Sequence, residues 1–256
     1  MSSQDFHPLT VQDISRPVED AVTVTFAVPD AVRDEFRYQP GQYVMVRRID
    51  ADGEETCRSY SICQAPPADD GAPASLRIAV KLLGPGGFAE FAHARLRPGD
   101  TVDVLPPTGR FRLRPGRRHL AVAAGSGITP VLAMAEAALR RGDEFALILG
   151  NRTSASVLFA DELAELRHRF AERFTVLHVL SREQGPDPLR TGRIDPERLP
   201  ELIAAAGCAT TDPELQYYLC GPAGLVATVG SFLADAGIER RRIHCERFVV
   251  AALAGL

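Results

Sequence analysis

Four short runs hold the residues best suited to chemistry. "RSYSI" (58–62) sets an arginine, a tyrosine and two serines where the chain otherwise alternates like a strand. Polar groups inside a sheet need partners, because burying one without a hydrogen bond costs free energy. The run therefore either holds a ligand or forms a polar network of its own. "AAGSGITP" (123–130) places Gly125 and Gly127 where a backbone turns sharply or approaches a phosphate, and Thr129 beside the free N–H groups of a helix start. It lacks the GK[ST] ending of a Walker loop, and Pro130 stands where GxGxxG requires its third glycine. A purely structural βα turn stays open, with Pro130 as an ordinary first-turn residue.

"GNRTSASVLF" (150–159) and "VLSRE" (179–183) contribute Arg152, Ser181 and Arg182. Two guanidinium groups and two small hydroxyl residues at neighbouring strand ends suit an extra phosphate, such as that on the ribose of NADP(H). No acidic side chain stands immediately at these two ends to select the ribose diol of NADH. The alternative is two solvated surface charges. "YLCGPAGLV" (218–226) sets Cys220 before Gly221, Pro222 and Gly224, where a small polarizable thiol faces a flat ring and the glycines let a dinucleotide pass. A thiolate nucleophile is the rival reading, without a local histidine to activate it.

The elements that must position these runs fall into two halves. Residues 9–114 read as short strands, "AVTVTFAVP" (21–29), "QYVMVRRI" (42–49), "SLRIAVKLL" (75–83) and "DTVDVLPP" (100–107). Proline and glycine punctuate them as in a small antiparallel barrel or sandwich. One helix, "GFAEFAHARL" (87–96), interrupts them, and 69–75 reads as an exposed hairpin loop. From Arg118 strands and helices alternate: strands over 118–125, 144–152, 174–181, 215–222 and 242–248, helices over 129–142, 157–170, 201–206 and 225–237. That alternation specifies a parallel sheet covered on both faces. "RPGRR" (114–118) is the expected hinge between domains 1–115 and 116–256.

A chain of 256 residues with net charge −4 has no basic footprint, so nucleic acid is not an expected partner. No apolar run approaches a membrane span and the start has no apolar leader, so no membrane is expected and the cytoplasm is the default location. The five cysteines are odd in number and lack CxxC spacing, which favours reduced thiols and no metal site. A monomer or weak oligomer is expected.

With RSYS, "PPTGRF" (106–111), GSGITP and CGP in this order, the chain resembles the ferredoxin–NADP reductase superfamily, in the branch of bacterial oxygenase reductases. The flanks 7–29 and "IHCERF" (243–248) look most like the reductase subunits of phenylacetyl-CoA epoxidase systems. The resemblance implies a six-stranded antiparallel barrel holding FAD, followed by a five-stranded parallel α/β sheet binding the pyridine nucleotide.

Carried over, Arg58 pairs with the FAD pyrophosphate, Tyr60 packs on the isoalloxazine and Ser61 lies near flavin N5. Ile78, Ala79 and Val80 pass the cofactor on a strand, and Gly86, Gly87, Phe88 and Ala89 form the helix start at its phosphates, with alanine where the family usually has serine. Thr108 and Gly109 close the flavin pocket, and Phe111 is a ligand or a core anchor. Gly125, Gly127, Ile128, Thr129 and Pro130 look like the nucleotide loop, and Cys220 and Gly221 like the nicotinamide-side pair. Glu246 is a candidate polar group at hydride transfer and Phe248 a candidate shield on the flavin; a pairing of Glu246 with Arg241, Arg242 or Arg247 and a core role for Phe248 stay open.

The implied activity is transfer from NADPH, with NADH as the option, through FAD to a [2Fe–2S] ferredoxin or oxygenase component, with Ser61, Cys220, Glu246 and Phe248 at the reacting end. A flavin reductase feeding a monooxygenase and a noncatalytic redox-sensing subunit are the alternatives. CxxxxCxxC, the signature of a plant-type iron–sulfur domain, does not occur. The expectation is that this domain is a separate protein, or that "AALAGL" (251–256) is what remains of a linker to it.

Overall fold

A computed structural model describes residues 5–50, 52–68, 71–82, 84, 86–185 and 187–248. The tail 251–256 and the start of the expected hairpin loop, Asp69 and Asp70, lie outside the described residues. The chain divides into two compact units, residues 1–113 with 132–137, and residues 114–131 with 138–256.

The first unit contains β1 (His7–Val18), β2 (Ala21–Ala27), β3 (Tyr43–Ile49), β4 (Glu55–Ser61), β5 (Ser75–Lys81), α1 (Gly87–Ala94) and β6 (Thr101–Val104). The strands form one antiparallel sheet in the order β4-β3-β6-β1-β2-β5. Its two outer strands meet where Ile62 bridges Ile78 and Cys63 N–H donates to Arg77 O at 2.9 Å. The sheet thus curls into a six-stranded barrel whose outer strands are joined at this one place. Period-two alternation sends Val22, Val24, Phe26, Val44, Val46 and Ile78 into a fully buried core. α1 adds Phe88 and Ala92 at four-residue spacing and ends at Ala94, two residues before the expected limit.

Periodicity does not single out β1, for a physical reason. Only Leu9 and Val11 of its twelve residues are buried, and its register with β2 shifts between Val11 and Asp13 and again between Ser15 and Val18. Pro17 sits in the second irregularity, where a missing N–H costs the ladder nothing.

The second unit contains β7 (Arg118–Ala124), both ends of α2 (Ile128–Arg140, whose residues 132–137 group with the first unit), β8 (Glu144–Asn151), α3 (Ala160–Arg169), β9 (Phe174–Leu180), α4 (Leu199–Ala205), β10 (Leu215–Gly221), α5 (Ala223–Asp235) and β11 (Ile243–Arg247). All five strands run parallel in the order β11-β10-β7-β8-β9. Leu120, Val122, Ile148 and Leu219 lie within near-continuous buried runs, as a sheet covered on both faces demands. The expected helix from residue 157 begins only at Ala160, because buried Phe159 adopts φ 61°, which no helix accommodates. His119 is buried among aromatic rings, 5.9 Å from those of Phe145 and Tyr218, and His244 lies 5.2 Å from Tyr218. Among the described residues no helix is long and apolar enough to cross a membrane.

The chain leaves β7 for β8 on one side and later returns to β10 on the other. This reversal makes the carboxyl ends of β7 and β10 the topological switch point, where open parallel sheets bind their ligands.

Candidate functional site

In the first unit, β3 and β4 pair so that Val46 opposes Arg58, Val44 opposes Tyr60 and Tyr43 opposes Ser61. Strand alternation therefore separates Arg58 and Tyr60 from Ser61, which shares the other face with Tyr43. Arg58 is exposed; its Nη1 donates to Cys57 O at 2.9 Å, and it meets no carboxylate among the described residues. Among the described residues Arg58, Tyr60 and Ser61 are not hydrogen-bonded to one another through their side chains. Tyr60 is half-buried, 5.6 Å from the ring of Phe88. Burial pushes its hydroxyl up to about 12, against the pull of Arg58, so it stays protonated.

Gly86 and Gly87 have φ of 87° and 68° with open space where a Cβ would stand, so glycine is required there by conformation. The amide of Gly86 donates to Glu90 Oε2 at 2.6 Å, so the start of α1 already carries a carboxylate. The ring of Phe88 is 1% exposed and belongs to the core behind Tyr60, which leaves its backbone at the helix start as the part that can meet a phosphate. The side chains of Ile78 and Val80 are likewise fully buried, and Ala89 packs half-buried against that core. Thr108 exchanges both backbone bonds with Tyr43, each 2.9 Å. At Gly109 a Cβ would lie 3.0 Å from the Tyr43 ring. Tyr43 thus stands among Ser61, Thr108 and Gly109, a grouping the sequence does not reveal, since only register creates it. Phe111 is 6% exposed and is the core anchor of its two readings.

In the second unit, Gly125, Ser126 and Gly127 make one tight turn into α2. A Cβ on Gly127 would lie 2.2 Å from Cys220 O, and one on Gly221 3.0 Å from Ala124 O. The ends of β7 and β10 therefore touch backbone to backbone, and glycine is dictated by approach. Gly125 differs: it has φ 54° and nothing near its Cβ position. Thr129 stands at the start of α2. It is 3% exposed and its Oγ1 donates to Ser126 O at 2.8 Å, so it buttons the turn rather than offering an open hydroxyl. Ile128 and Pro130 are buried beside it, leaving half-buried Ser126 as the polar side chain of the turn.

Cys220 is fully buried, and burial, with Glu246 and Cys245 adding, pushes its thiol well above the ordinary value. That excludes a resting thiolate and favours the space-filling reading. Register places Cys220 beside Glu246 of β11. Glu246 makes no ion pair among the described residues, its Oε2 is buried without a hydrogen-bond partner, and burial raises its carboxyl to about 7. The alternative arginine pairing is not made: Arg241 pairs with Glu239, and Arg242 donates to Leu215 O and Asp212 O. Phe248 follows β11, half-buried.

Arg152, Ser181 and Arg182 are exposed and adjoin one another at the ends of β8 and β9. Ser181 N–H donates to Asn151 O at 2.9 Å and Arg182 N–H to Arg152 O at 2.8 Å. An acidic residue not weighed in the sequence stands one position further: Glu183 accepts from Ser154 N–H at 2.6 Å and from Ser154 Oγ at 3.0 Å. Among the described residues no cluster of metal-ligating side chains occurs.

Known proteins share both halves. The family described as "Oxidoreductase FAD-binding domain" matches residues 8–113, and "Oxidoreductase NAD-binding domain" matches residues 121–230. The chain is 38% identical to one of the subunits of the 1,2-phenylacetyl-CoA epoxidase of Escherichia coli (strain K12), over 95% of this chain and 68% of that protein. It is 34% identical to the 3-ketosteroid-9-alpha-monooxygenase ferredoxin reductase component of Rhodococcus rhodochrous, over 94% of this chain and 64% of that protein. The chain thus spans about two thirds of the length of these curated relatives. The FAD/NAD-binding domain of the Vibrio cholerae nitric oxide dioxygenase has the same fold, with TM-score 0.80, 24% identity, and coverage of 96% of this chain and 99% of that one.

Proposed function

This chain belongs to the ferredoxin–NADP reductase superfamily, in its oxygenase-reductase branch, and from that premise we propose that it takes electrons from NADPH through FAD to a [2Fe–2S] ferredoxin or an oxygenase component. One observation carries this reading: the FAD-binding match covers the antiparallel barrel, and the NAD-binding match covers the parallel sheet from within β7 through β10. We assign residues 1–115 to the flavin and 116–256 to the nucleotide, in a cytoplasmic monomer or weak oligomer. NADH is the alternative donor.

The residues fit the groups. Arg58 has no competing carboxylate among the described residues and can meet a pyrophosphate with its fork of donors. Tyr60 offers a half-buried aromatic face, and its protonated hydroxyl can only donate or accept as a neutral group. Gly125 and Ser126 present the backbone of the turn to a phosphate, and the Gly127–Cys220 contact holds that turn rigid. Cys220 fills space beside Glu246, which holds or releases a proton near neutrality. When bound, FAD links the two-electron chemistry of a nicotinamide to one-electron carriers.

Two features favour the second reading, a flavin reductase that releases its flavin. Ala89 has no hydroxyl for a phosphate, and the Gly86 amide is taken by Glu90. Anaerobic mixing of the purified flavoprotein with NADPH, with NADH, and then with a [2Fe–2S] ferredoxin tests both. Rapid bleaching of flavin absorbance followed by ferredoxin reduction is expected. Loss of the yellow colour on dialysis, with bleaching only of added flavin, points to the flavin reductase; bound flavin that neither nucleotide bleaches would overturn both.

A further inference from the structure

The ends of β8 and β9 carry a second layer of order, whose meaning rests on the coenzyme reading above. The ladder between these strands runs on past them, through the bonds of Ser181 to Asn151 and Arg182 to Arg152. The cross-link that follows is made by a side chain: both carboxylate oxygens of half-buried Glu183 accept from Ser154, one from its amide and one from its hydroxyl. Ser154 belongs to a turn that is itself closed. Thr153 N–H donates to Ser156 Oγ at 3.1 Å, Ser156 Oγ to Thr153 O at 2.7 Å, and Asn151 Nδ2 to Ser156 O at 3.0 Å. Glu183 therefore ties the segment carrying Ser181 and Arg182 to a stiff turn that follows Arg152.

We propose that Glu183 is a positioning residue for coenzyme selection, holding the Arg152 and Arg182 segments together as a receptor for the ribose 2′-phosphate of NADPH. An acidic residue near such a strand end ordinarily accepts from a ribose diol. Here both oxygens are already engaged, one of them in a charge-assisted bond to a backbone amide. Fixing exposed arginines against a phosphate costs conformational entropy, and strand ends open readily; a tie made before binding reduces that cost. A nucleotide without the 2′-phosphate gains little from it, so the tie acts on selectivity.

Isothermal titration of the holoprotein with adenosine 2′,5′-bisphosphate and with adenosine 5′-monophosphate reads the site without turnover. Glu183→Ala is expected to weaken the bisphosphate about tenfold, the scale of one hydrogen bond to a charged group, and the monophosphate by less than about twofold. Glu183→Gln, which keeps an acceptor for the Ser154 amide and a donor for its hydroxyl, is expected to restore most of the difference. A fixed ratio of the two affinities in Glu183→Ala, whatever happens to its melting temperature, overturns the proposal. So does a gain in bisphosphate affinity, which would make Glu183 a repelling charge. Failure of both ligands to bind the unaltered protein removes the coenzyme reading and this inference with it, whereas binding with an unmoved ratio removes this inference alone.

Discussion

A buried carboxyl with an unpartnered oxygen has a measurable signature at Glu246. Its folded value of about 7 lies above the ordinary 4.5, so the folded state holds the proton more tightly than the unfolded chain. Its contribution to stability is full below about 4.5 and is lost as pH rises through 7. Glu246→Gln, neutral at every pH, should match the unaltered protein in melting temperature near pH 4.5 and exceed it increasingly up to pH 8. Parallel melting curves at all pH values would show that this carboxyl is not held protonated by burial. The same residue marks the limit of sequence reading. "HCERF" draws attention to Glu246, but that it escapes three neighbouring arginines depends on Arg241 and Arg242 being engaged elsewhere. That Thr129 Oγ1 closes a turn and the Phe88 ring joins the core is equally invisible in sequence, where hydroxyls and rings look alike whether they face a ligand or the protein.

At the scale of elements, the two glycines of the nucleotide turn do different work and should respond differently to alanine. At Gly127 a methyl group meets the carbonyl of Cys220 at 2.2 Å, so β7 and β10 must part. Gly127→Ala should cost about 1–3 kcal/mol, the usual range for overpacking. Gly125→Ala meets only its φ of 54° and open space, and should cost about 1 kcal/mol. Urea midpoints of the two variants order them, and an equal or reversed order refutes the distinction. Most elements are legible because alternation marks "AVTVTF", a near-continuous apolar run marks "RHLAVAAG", and a period of 3.6 marks "TPVLAMAEAALRR". β1 is not, since bulges and Pro17 break its alternation, and α3 begins late because the left-handed Phe159 leaves no trace in composition. Register is the larger gap: nothing in residues 43 and 61 says that they face each other.

Over the whole molecule, histidines with depressed values concentrate in one unit. Burial lowers His119 and His178, the latter helped by Arg190 and Arg167, and takes His244 to about 4. An unfolded chain binds those protons sooner, so their contribution is full above about 6.5 and is lost as pH falls toward 4. Glu246 acts oppositely over much of that window, one group against three. Hydrogen exchange at pH 5, corrected for intrinsic rates, should open peptides from residues 118–247 more than peptides from 7–104, relative to pH 7.5. Equal protection in both sets would show that burial of these rings carries no such cost.

The parallel sheet has two flanks at which another chain could add a strand. There one flank, β9, is bridged by Thr191 at Leu180, and Arg198 holds that covering segment through the carbonyls of Pro188, Leu189 and Thr191. Among the described residues the other flank is β11, five residues long and ending in Glu246 and Arg247. A short border carrying opposite charges is a poor seed for cross-β stacking, and crowding this protein should produce less fibrous aggregate than its share of β-structure alone would suggest.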